Sequence, residues 1–543
     1  ESEQQARDTA FADVTRWLLH ALADFDFICE SLLPTQDAGA NDARFGVGEM
    51  AYDVVVVPNM RTIRATTLAR PKRFTEAGGT VLFAGEVPML VDAEPSAAPA
   101  ALAAGCVRLP LAETALLDAL SPFQDVRLVD PRGAQAVGVL HQMREEDGSR
   151  YLFLCNTDRN RVLPRLELKV RGTWQPVLHD TLTGATAPMP ATAVNGWTCI
   201  PCSLEAHGSL MLVLEPVQSV AAVPVAAVAA GQESGRLQGP VPVTLSEPNV
   251  LVLDYAAFQV DDGAWSGLLP ILDLDGLVGK ALGLPARGGQ MAQPWCDTEP
   301  LVTRATVRIR LRFTSLVRVA QSQLALEGLA NTRVLLDGKA QDTTPTGYFT
   351  DESIQTIRLD AFGPGEHELV LEIAYHHKTC IECMYLLGDF GVEVRGRYAR
   401  ITEPVRELAF GNWVHQGLPF YAGNVTYHAA LTSTGKRLTV ETAHFGGALV
   451  TARLNDGDKV PLAFAPYRAS FDAPAGEHRL DLTVFGNRAN AFGQLHHAKA
   501  GGKENGSFWW GPSTWRSKGV NWMDEYQLWP MGLLAAPRLL NVD

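Results

Sequence analysis

Residues 323–339 read QLALEGLANTRVLLDGK and residues 363–375 read GPGEHELVLEIAY; residues 437–458 (RLTVETAHFGGALVTARLNDGD) and 474–486 (PAGEHRLDLTVFG) repeat the pattern. Each copy holds an alternating apolar and polar strand, a tight Asp-Gly turn, and a Gly-Glu-His turn that opens a second alternating strand. A period of two puts one strand face in a core and the other toward water, and Asp-Gly tolerates the positive φ that a short hairpin needs. Two similar β-sandwich modules are therefore predicted, over 247–400 and 401–543. Their similar openings, Glu247-Pro248 and Glu403-Pro404, support those boundaries.

Working outward from the repeat, residues 105–216 also read as strands. Stretches such as VRLVD at 126–130, RYLFLCNT at 150–157 and LMLVLEP at 210–216 alternate and are separated by turns with Gly, Asn or Asp, as in a sandwich. The Ala/Val run at 217–230 leads through Gly, Ser and Pro to residue 246, and 217–246 reads as a linker. Residues 1–104 differ. Asp8 can cap a helix carrying Phe11, Val14, Leu18, Leu19 and Leu22 at helical spacing, DVVVVPN at 53–59 is a continuous apolar run, and a second helix over 66–77 ends at Gly78-Gly79 before TVLFAG at 80–85. That succession belongs to a doubly wound, flavodoxin-like sheet, of which about three strands are present where an independent one has about five. The remaining strands are expected upstream of Glu1. The fold class is multidomain α/β plus all-β.

A chain of 543 residues is too long for one core and should divide into about three to five domains. The formal charge of −14 argues against a phosphate-backbone partner, so no nucleic acid is expected. No run of 18 apolar residues predicts a membrane span. A soluble protein of cytoplasm or periplasm is the expectation.

Standard catalytic motifs are missing: there is no GxSxG, no P-loop, no GxGxxG after a strand and no HExxH. A glutamine-amidotransferase-like α/β domain would place a Cys or Ser after its strand, and Gly85-Glu86-Val87-Pro88 stands there instead. A degenerate, structural copy is the expected reading, with Glu86 as a base the alternative. Cys29 reads as core packing. The two CxxC pairs, Cys199/Cys202 and Cys380/Cys383, could hold zinc only if they met, and strand-like flanks point residues i and i+3 to opposite faces. Buried free thiols are expected, with no metal. Calcium in a β-sandwich loop is considered at Asp273-Leu274-Asp275-Gly276, which lacks a full EF-hand loop.

The densest unusual stretch spans 492–534. It contains Trp509, Trp510, Trp515, Trp522 and Trp529 among His496, His497, Arg516, Asp524 and Glu525. Aromatic faces stack on sugar rings while charged neighbours take the hydroxyls, so Trp509, Trp510, Trp515, Trp522, His496, Asp524 and Glu525 are the candidate saccharide contacts. The competing reading is a long loop pinned to its neighbour by buried tryptophans.

Several segments resemble a known family. Residues 24–34 (DFDFICESLLP), 52–88, 385–394 (YLLGDFGVEV) and 492–534 are similar to the C-terminal half of large bacterial glycoside hydrolases of the α-L-rhamnosidase-like type. The resemblance implies a (β/α)8 barrel first, then an α/β domain like the β-galactosidase trimerisation domain, then a β-sandwich and galactose-binding-like jelly rolls. It places the acid and base carboxylates in the barrel, which has no counterpart in these residues, so no catalytic residue carries over. The expected partners are an oligosaccharide or polysaccharide, a catalytic barrel in cis or in trans, and a second copy through the α/β domain. The alternative function is a non-catalytic carbohydrate-binding or scaffold protein built of the same modules.

Overall fold

The computed structural model describes residues 2–36, 44–223, 232–284, 299–435, 437–497, 517–518 and 522–541. The chain forms two compact units, Glu1–Val228 and Ala229–Asp543.

In the first unit, helix α1 (Glu3–His20) is capped by the Ser2 hydroxyl, which accepts from the Gln5 amide. The helix starts earlier than an Asp8 cap implies. Of its apolar residues Val14 and Leu18 are buried, whereas Phe11 and Leu19 are exposed. Strands β1 (Val54–Val57), β2 (Thr80–Ala84) and β3 (Val107–Leu109) form a parallel sheet in that order. Helix α2 (Ala65–Glu76) crosses between the first two, and α3 (Glu113–Leu120) follows the third. Alternate strand residues serve opposite faces: Leu82 and Ala84 pack with Val14, Leu18, Leu116 and Leu120, while Val55, Val57, Val81 and Phe83 pack with Phe74. Covering both faces is what makes the strands apolar throughout. The α/β layer thus continues past residue 104, because the third strand takes its ladder from β2.

A sandwich follows. One sheet has β5 (Val139–Glu146), β6 (Ser149–Asn156), β10 (Ser209–Pro216) and β8 (Trp174–His179) in sequence across it; the other has β9 (Trp197–Leu204), β7 (Leu163–Arg171) and β4 (Val126–Val129). Leu128, Leu152, Leu154, Leu168, Ile200 and Leu212 fill the space between the sheets.

The second unit carries the repeat, with a connectivity the sequence boundaries do not anticipate. Strands β11 (Gln232–Arg236) and β12 (Val241–Leu245) lie in the segment read as linker, and both belong to the C-terminal sandwich. The other sandwich is inserted after them. It comprises β13 (Asn249–Leu253), β14 (Tyr255–Val260), helix α4 (Ile271–Ala281), β15 (Ala305–Ser315), β16 (Ser322–Leu326), β17 (Thr332–Leu336), β18 (Asp351–Leu359), β19 (Gly365–Tyr375) and β20 (Met384–Gly388), then the hairpin β21 (Gly391–Arg395) and β22 (Tyr398–Thr402). The host sandwich resumes with β23 (Val425–Ser433), β24 (Arg437–Glu441), β25 (Leu449–Leu454), β26 (Arg468–Asp472), β27 (Gly476–Phe485) and β28 (Arg538–Asn541).

The two sandwiches share one strand order. Sheets β13-β20-β16-β18 and β14-β15-β19-β17 in the insert match β11-β28-β24-β26 and β12-β23-β27-β25 in the host. The Gly-Glu-His turn has the same job in both. His367 reaches Asp337 of the preceding hairpin turn at 2.8 Å and the Gly363 carbonyl at 2.9 Å. His478 reaches Asn455 at 3.0 Å and the Pro474 carbonyl at 2.8 Å. Each imidazole fastens a strand entry to a neighbouring turn, which accounts for its place in the repeat.

Candidate functional site

The site begins with strand β15, whose residues alternate between a buried row (Val307, Ile309, Leu311, Phe313) and an outward row (Arg308, Arg310, Arg312, Thr314). One edge of this strand serves two partners. β14 pairs antiparallel with its first half, up to Arg310, and β22 pairs parallel with Thr314 and Ser315. Where the partners part, a groove of about 850 Å³ opens, lined by Arg310, Arg312, Tyr255, Arg397, Tyr398 and Tyr526 among others.

The β21–β22 hairpin forms one wall. Its loop has two residues, Gly396 and Arg397, with Arg395 opposite Tyr398, and Gly396 takes φ +63° as a short turn of this kind requires. Tyr398 is 67% exposed. The Arg397 guanidinium lies 5.3 Å from the Tyr398 ring centroid and 5.9 Å from that of Tyr255, and one of its N–H groups donates to the Tyr398 hydroxyl at 3.2 Å. Such stacking holds a planar cation while leaving edge donors available.

The opposite wall comes from the C-terminal region of the host sandwich. His496, only 5% exposed, donates from Nε2 to Asp254 at 2.9 Å, and its Nδ1 faces the Met523 carbonyl at 3.0 Å. Tyr526 donates to the other Asp254 oxygen at 2.7 Å, so both oxygens of this buried carboxylate are satisfied. The Tyr526 amide donates to the Gly396 carbonyl at 3.2 Å, which ties the C-terminal segment directly to the hairpin turn. Trp522 and Tyr526 both lie against the His496 ring, with centroids 4.9 and 4.7 Å away.

Charge in the groove is organised around the arginines. Glu393 is held below the ordinary carboxylate range by hydrogen bonds from Arg400 and Arg395. Arg312 donates to Glu368, and Arg310 stacks on Trp265 at 4.2 Å. Burial, reinforced by the Asp254 charge, pushes the Tyr526 phenol well up, and burial likewise raises that of Tyr255. The carboxylates lining the groove are each already held: Asp254 by His496 and Tyr526, Glu393 by two arginines, Glu366 by the Thr314 hydroxyl. The exposed Tyr398 ring and the arginine N–H groups equip this surface for stacking and hydrogen bonding.

Among the sequence candidates, Trp509, Trp510 and Trp515 lie outside the described residues. His496 is buried and turned to Asp254. Trp522 is half-buried, stacks on His496 and donates from Nε1 to Asp524 at 3.0 Å. Asp524 and Glu525 are exposed beside the hairpin, where their charges act on Tyr255. Sequence reasoning missed Arg397, Tyr398, Tyr255, Asp254 and Tyr526. A legible signal existed in the run Arg395-Gly396-Arg397-Tyr398-Ala399-Arg400, three cations and a tyrosine about a turn.

Other expectations fare differently. Cys29 is exposed, which overturns its reading as core. Glu86 is exposed and paired with Arg7 at 3.0 Å. Residues 273–276 lie on helix α4, where Asp275 accepts from the Tyr375 hydroxyl and the Ile381 amide; a helix cannot wrap these oxygens around calcium as a loop does. Among the described residues, no three His, Cys, Asp or Glu side chains gather into a group that could hold a metal. No helix among them is long and apolar enough to cross a membrane.

No protein-family model matches this chain, and no curated protein matches it. Among solved structures it is similar to a rhamnosidase from Novosphingobium sp. PP1Y, at 14% identity and TM-score 0.43, over 92% of this chain and 34% of that one. It is also similar to α-L-fucosidase isoenzyme 2 from Paenibacillus thiaminolyticus (13% identity, TM-score 0.26, 38% of this chain and 45% of that one). A third is the β-galactosidase from Bacillus circulans sp. alkalophilus (13% identity, TM-score 0.22, 39% and 38%). These three are glycoside hydrolases, and this chain spans about a third of the rhamnosidase's length.

Proposed function

We propose that this chain is the accessory, non-barrel half of a bacterial glycoside hydrolase, and that the groove beside β15 holds the saccharide. The observation that carries the reading is an exposed tyrosine, Tyr398, standing over a groove of about 850 Å³ beside a stacked arginine, with the lining carboxylates already engaged. That is equipment for holding a sugar ring by its face and its hydroxyls. Hydrolysis would fall to two carboxylates of a barrel, upstream or on another chain, with α-L-rhamnosides as the proposed substrates. The flavodoxin-like α/β layer would support that barrel or join two copies, and the two galactose-binding-like sandwiches would shape the sugar-binding surface, with Trp522, Asp524 and Glu525 at its rim.

The test is calorimetric titration of the chain with rhamnose-containing oligosaccharides. Tyr398→Ala should weaken binding about tenfold, the loss expected of one well-placed aromatic contact, with the thermal midpoint unchanged. Unaltered affinity in a folded variant would remove the groove from the reading. The second reading, a non-catalytic carbohydrate-binding or scaffold protein, draws on the same engaged carboxylates. Mass spectrometry of the natural gene product separates the two: a product about twice the 58.8 kDa of this chain supports the barrel, and one of 58.8 kDa supports the binding protein.

A further inference from the structure

We propose that the groove recognises an anionic saccharide, one bearing a carboxylate or a sulfate ester, through the guanidinium of Arg397. This rests on the reading of the groove as a saccharide site and narrows it to a chemical class. Five arginines, at 310, 312, 395, 397 and 400, line the groove, against the carboxylates of Asp254, Glu366 and Glu393.

The arginines are not equivalent. Arg395 and Arg400 share Glu393, Arg312 pairs with Glu368, and Arg310 lies on Trp265 with Glu368 at 3.8 Å. Arg397 alone of the five has no carboxylate at ion-pair distance among the described residues; its neighbours are the Tyr255 and Tyr398 rings and the Tyr398 hydroxyl, with the Asp524 charge acting on it from farther off. A cation restrained by stacking, with one of its donors used among the described residues, is prepared for a planar or tetrahedral oxyanion. Guanidinium offers paired N–H donors in a fork that matches a carboxylate, and little side-chain freedom remains to be lost on binding. Tyr398, exposed beside it, would take the face of the same or the adjacent ring. A neutral sugar would use the tyrosine and leave the guanidinium with only the more distant Asp524 charge.

The experiment titrates the chain with three oligosaccharides of equal length: an oligogalacturonate, a sulfated galactan oligomer and a neutral xylo-oligosaccharide. At least one anionic ligand should bind about tenfold more tightly than the neutral one, and should weaken as salt is raised, as expected for a charge-assisted contact near the surface. The stronger of the two identifies the anion as carboxylate or sulfate. Arg397→Gln should abolish the preference, bringing anionic and neutral affinities to within about twofold of each other; Arg397→Lys, which keeps the charge but not the fork, should retain only part of it. Circular dichroism and the thermal midpoint confirm that both variants fold. Equal affinity for anionic and neutral ligands would overturn the proposal while leaving the saccharide reading intact. A preference that survives Arg397→Gln would also overturn it, by putting the anion elsewhere. Failure of both anionic ligands to bind would overturn the proposal as well, while the saccharide reading stands or falls separately by the titration with rhamnose-containing oligosaccharides.

Discussion

His496 donates from Nε2 to the Asp254 carboxylate at 2.9 Å, joining residues 242 positions apart. Asp254 follows the first strand of the inserted sandwich, and His496 follows the long strand β27 of its host. Their hydrogen bond, with that of Tyr526 to the same carboxylate, fastens one sandwich to the other beneath the groove. The insertion makes such a fastening necessary. A sandwich tethered only by its two chain ends could turn against its host, whereas the groove needs β14 and the hairpin of the insert held against Tyr526 of the host.

Removing one partner of this buried pair should therefore be costly. Asp254→Asn or His496→Gln is expected to lower the unfolding free energy by about 1 to 3 kcal/mol, the usual effect of leaving a buried polar group with one hydrogen bond unmade. The double variant should lose less than the sum of the two single ones, because the second change removes the group that the first left unpaired. Urea unfolding followed by tryptophan fluorescence checks both statements. Single-variant losses under about 1 kcal/mol would mean that water screens the pair.

Acid should loosen the host sandwich through Asp481. Burial acts to raise this carboxyl, but hydrogen bonds from Arg453 at 2.6 Å and the His428 ring at 2.8 Å outweigh it and hold it below its ordinary value. A depressed folded value contributes stability that is fully present above the unfolded carboxyl's pKa, about 3.9, and is lost as pH falls through the folded value. Asp481→Asn should thus cost about 1.5 to 3 kcal/mol at pH 7, the range for hydrogen bonds to a charged group, and the difference from the natural chain should shrink as pH falls. Unfolding free energies measured from pH 7 down to pH 3 test the sign; a difference that grows on acidification would refute it.

Thiol chemistry should separate the cysteines sharply. Cys29 is exposed, and the Ser31 hydroxyl 3.2 Å away, with nearby backbone donors, draws its thiol below the ordinary value. Burial pushes Cys202 up to about 11 and Cys383 well above its ordinary value. Because the thiolate is the reactive form, iodoacetamide at pH 7 should modify Cys29 before Cys202 or Cys383, with peptide mapping as the readout. Modification of Cys383 first would show that the inserted sandwich opens readily.

The parts of the fold legible in sequence are those whose pairing is local or whose burial has a period. β15 alternates along its whole length, and the Gly-Glu-His turn marks the same strand entry twice. The order of the two sandwiches was hidden because β12 pairs with β23, Val243 opposite Tyr427, across the entire insert, and a single strand carries no label naming so distant a partner. Phe11 and Leu19 fit a helical period yet lie exposed on α1, since period alone does not say how wide the buried stripe is. The groove was hidden for a related reason: it exists because β14 and β22 diverge from one edge of β15, a tertiary fact. Trp522, chosen from composition, stacks on His496, which faces inward to Asp254, and neither is among the residues that line the groove.

Trp522 offers the sharpest separation between a sugar-contacting segment and a pinned loop. Its ring lies against His496 at 4.9 Å and 30°, its Nε1 donates to Asp524 at 3.0 Å, and its backbone bridges to His497. All three contacts are internal to the C-terminal segment that fastens the sandwiches. Replacing a large aromatic side chain in a core costs about 3 to 5 kcal/mol, and a half-buried one should cost less, so Trp522→Ala is expected to lose about 1 to 3 kcal/mol. Its effect on oligosaccharide affinity should be smaller than that of Tyr398→Ala, because Tyr398 presents an exposed face while Trp522 is occupied with its neighbours. Paired measurements of unfolding and of affinity on both variants give the answer. If Trp522→Ala leaves stability unchanged and abolishes binding, the tryptophan is a direct contact, and the groove extends over the C-terminal segment.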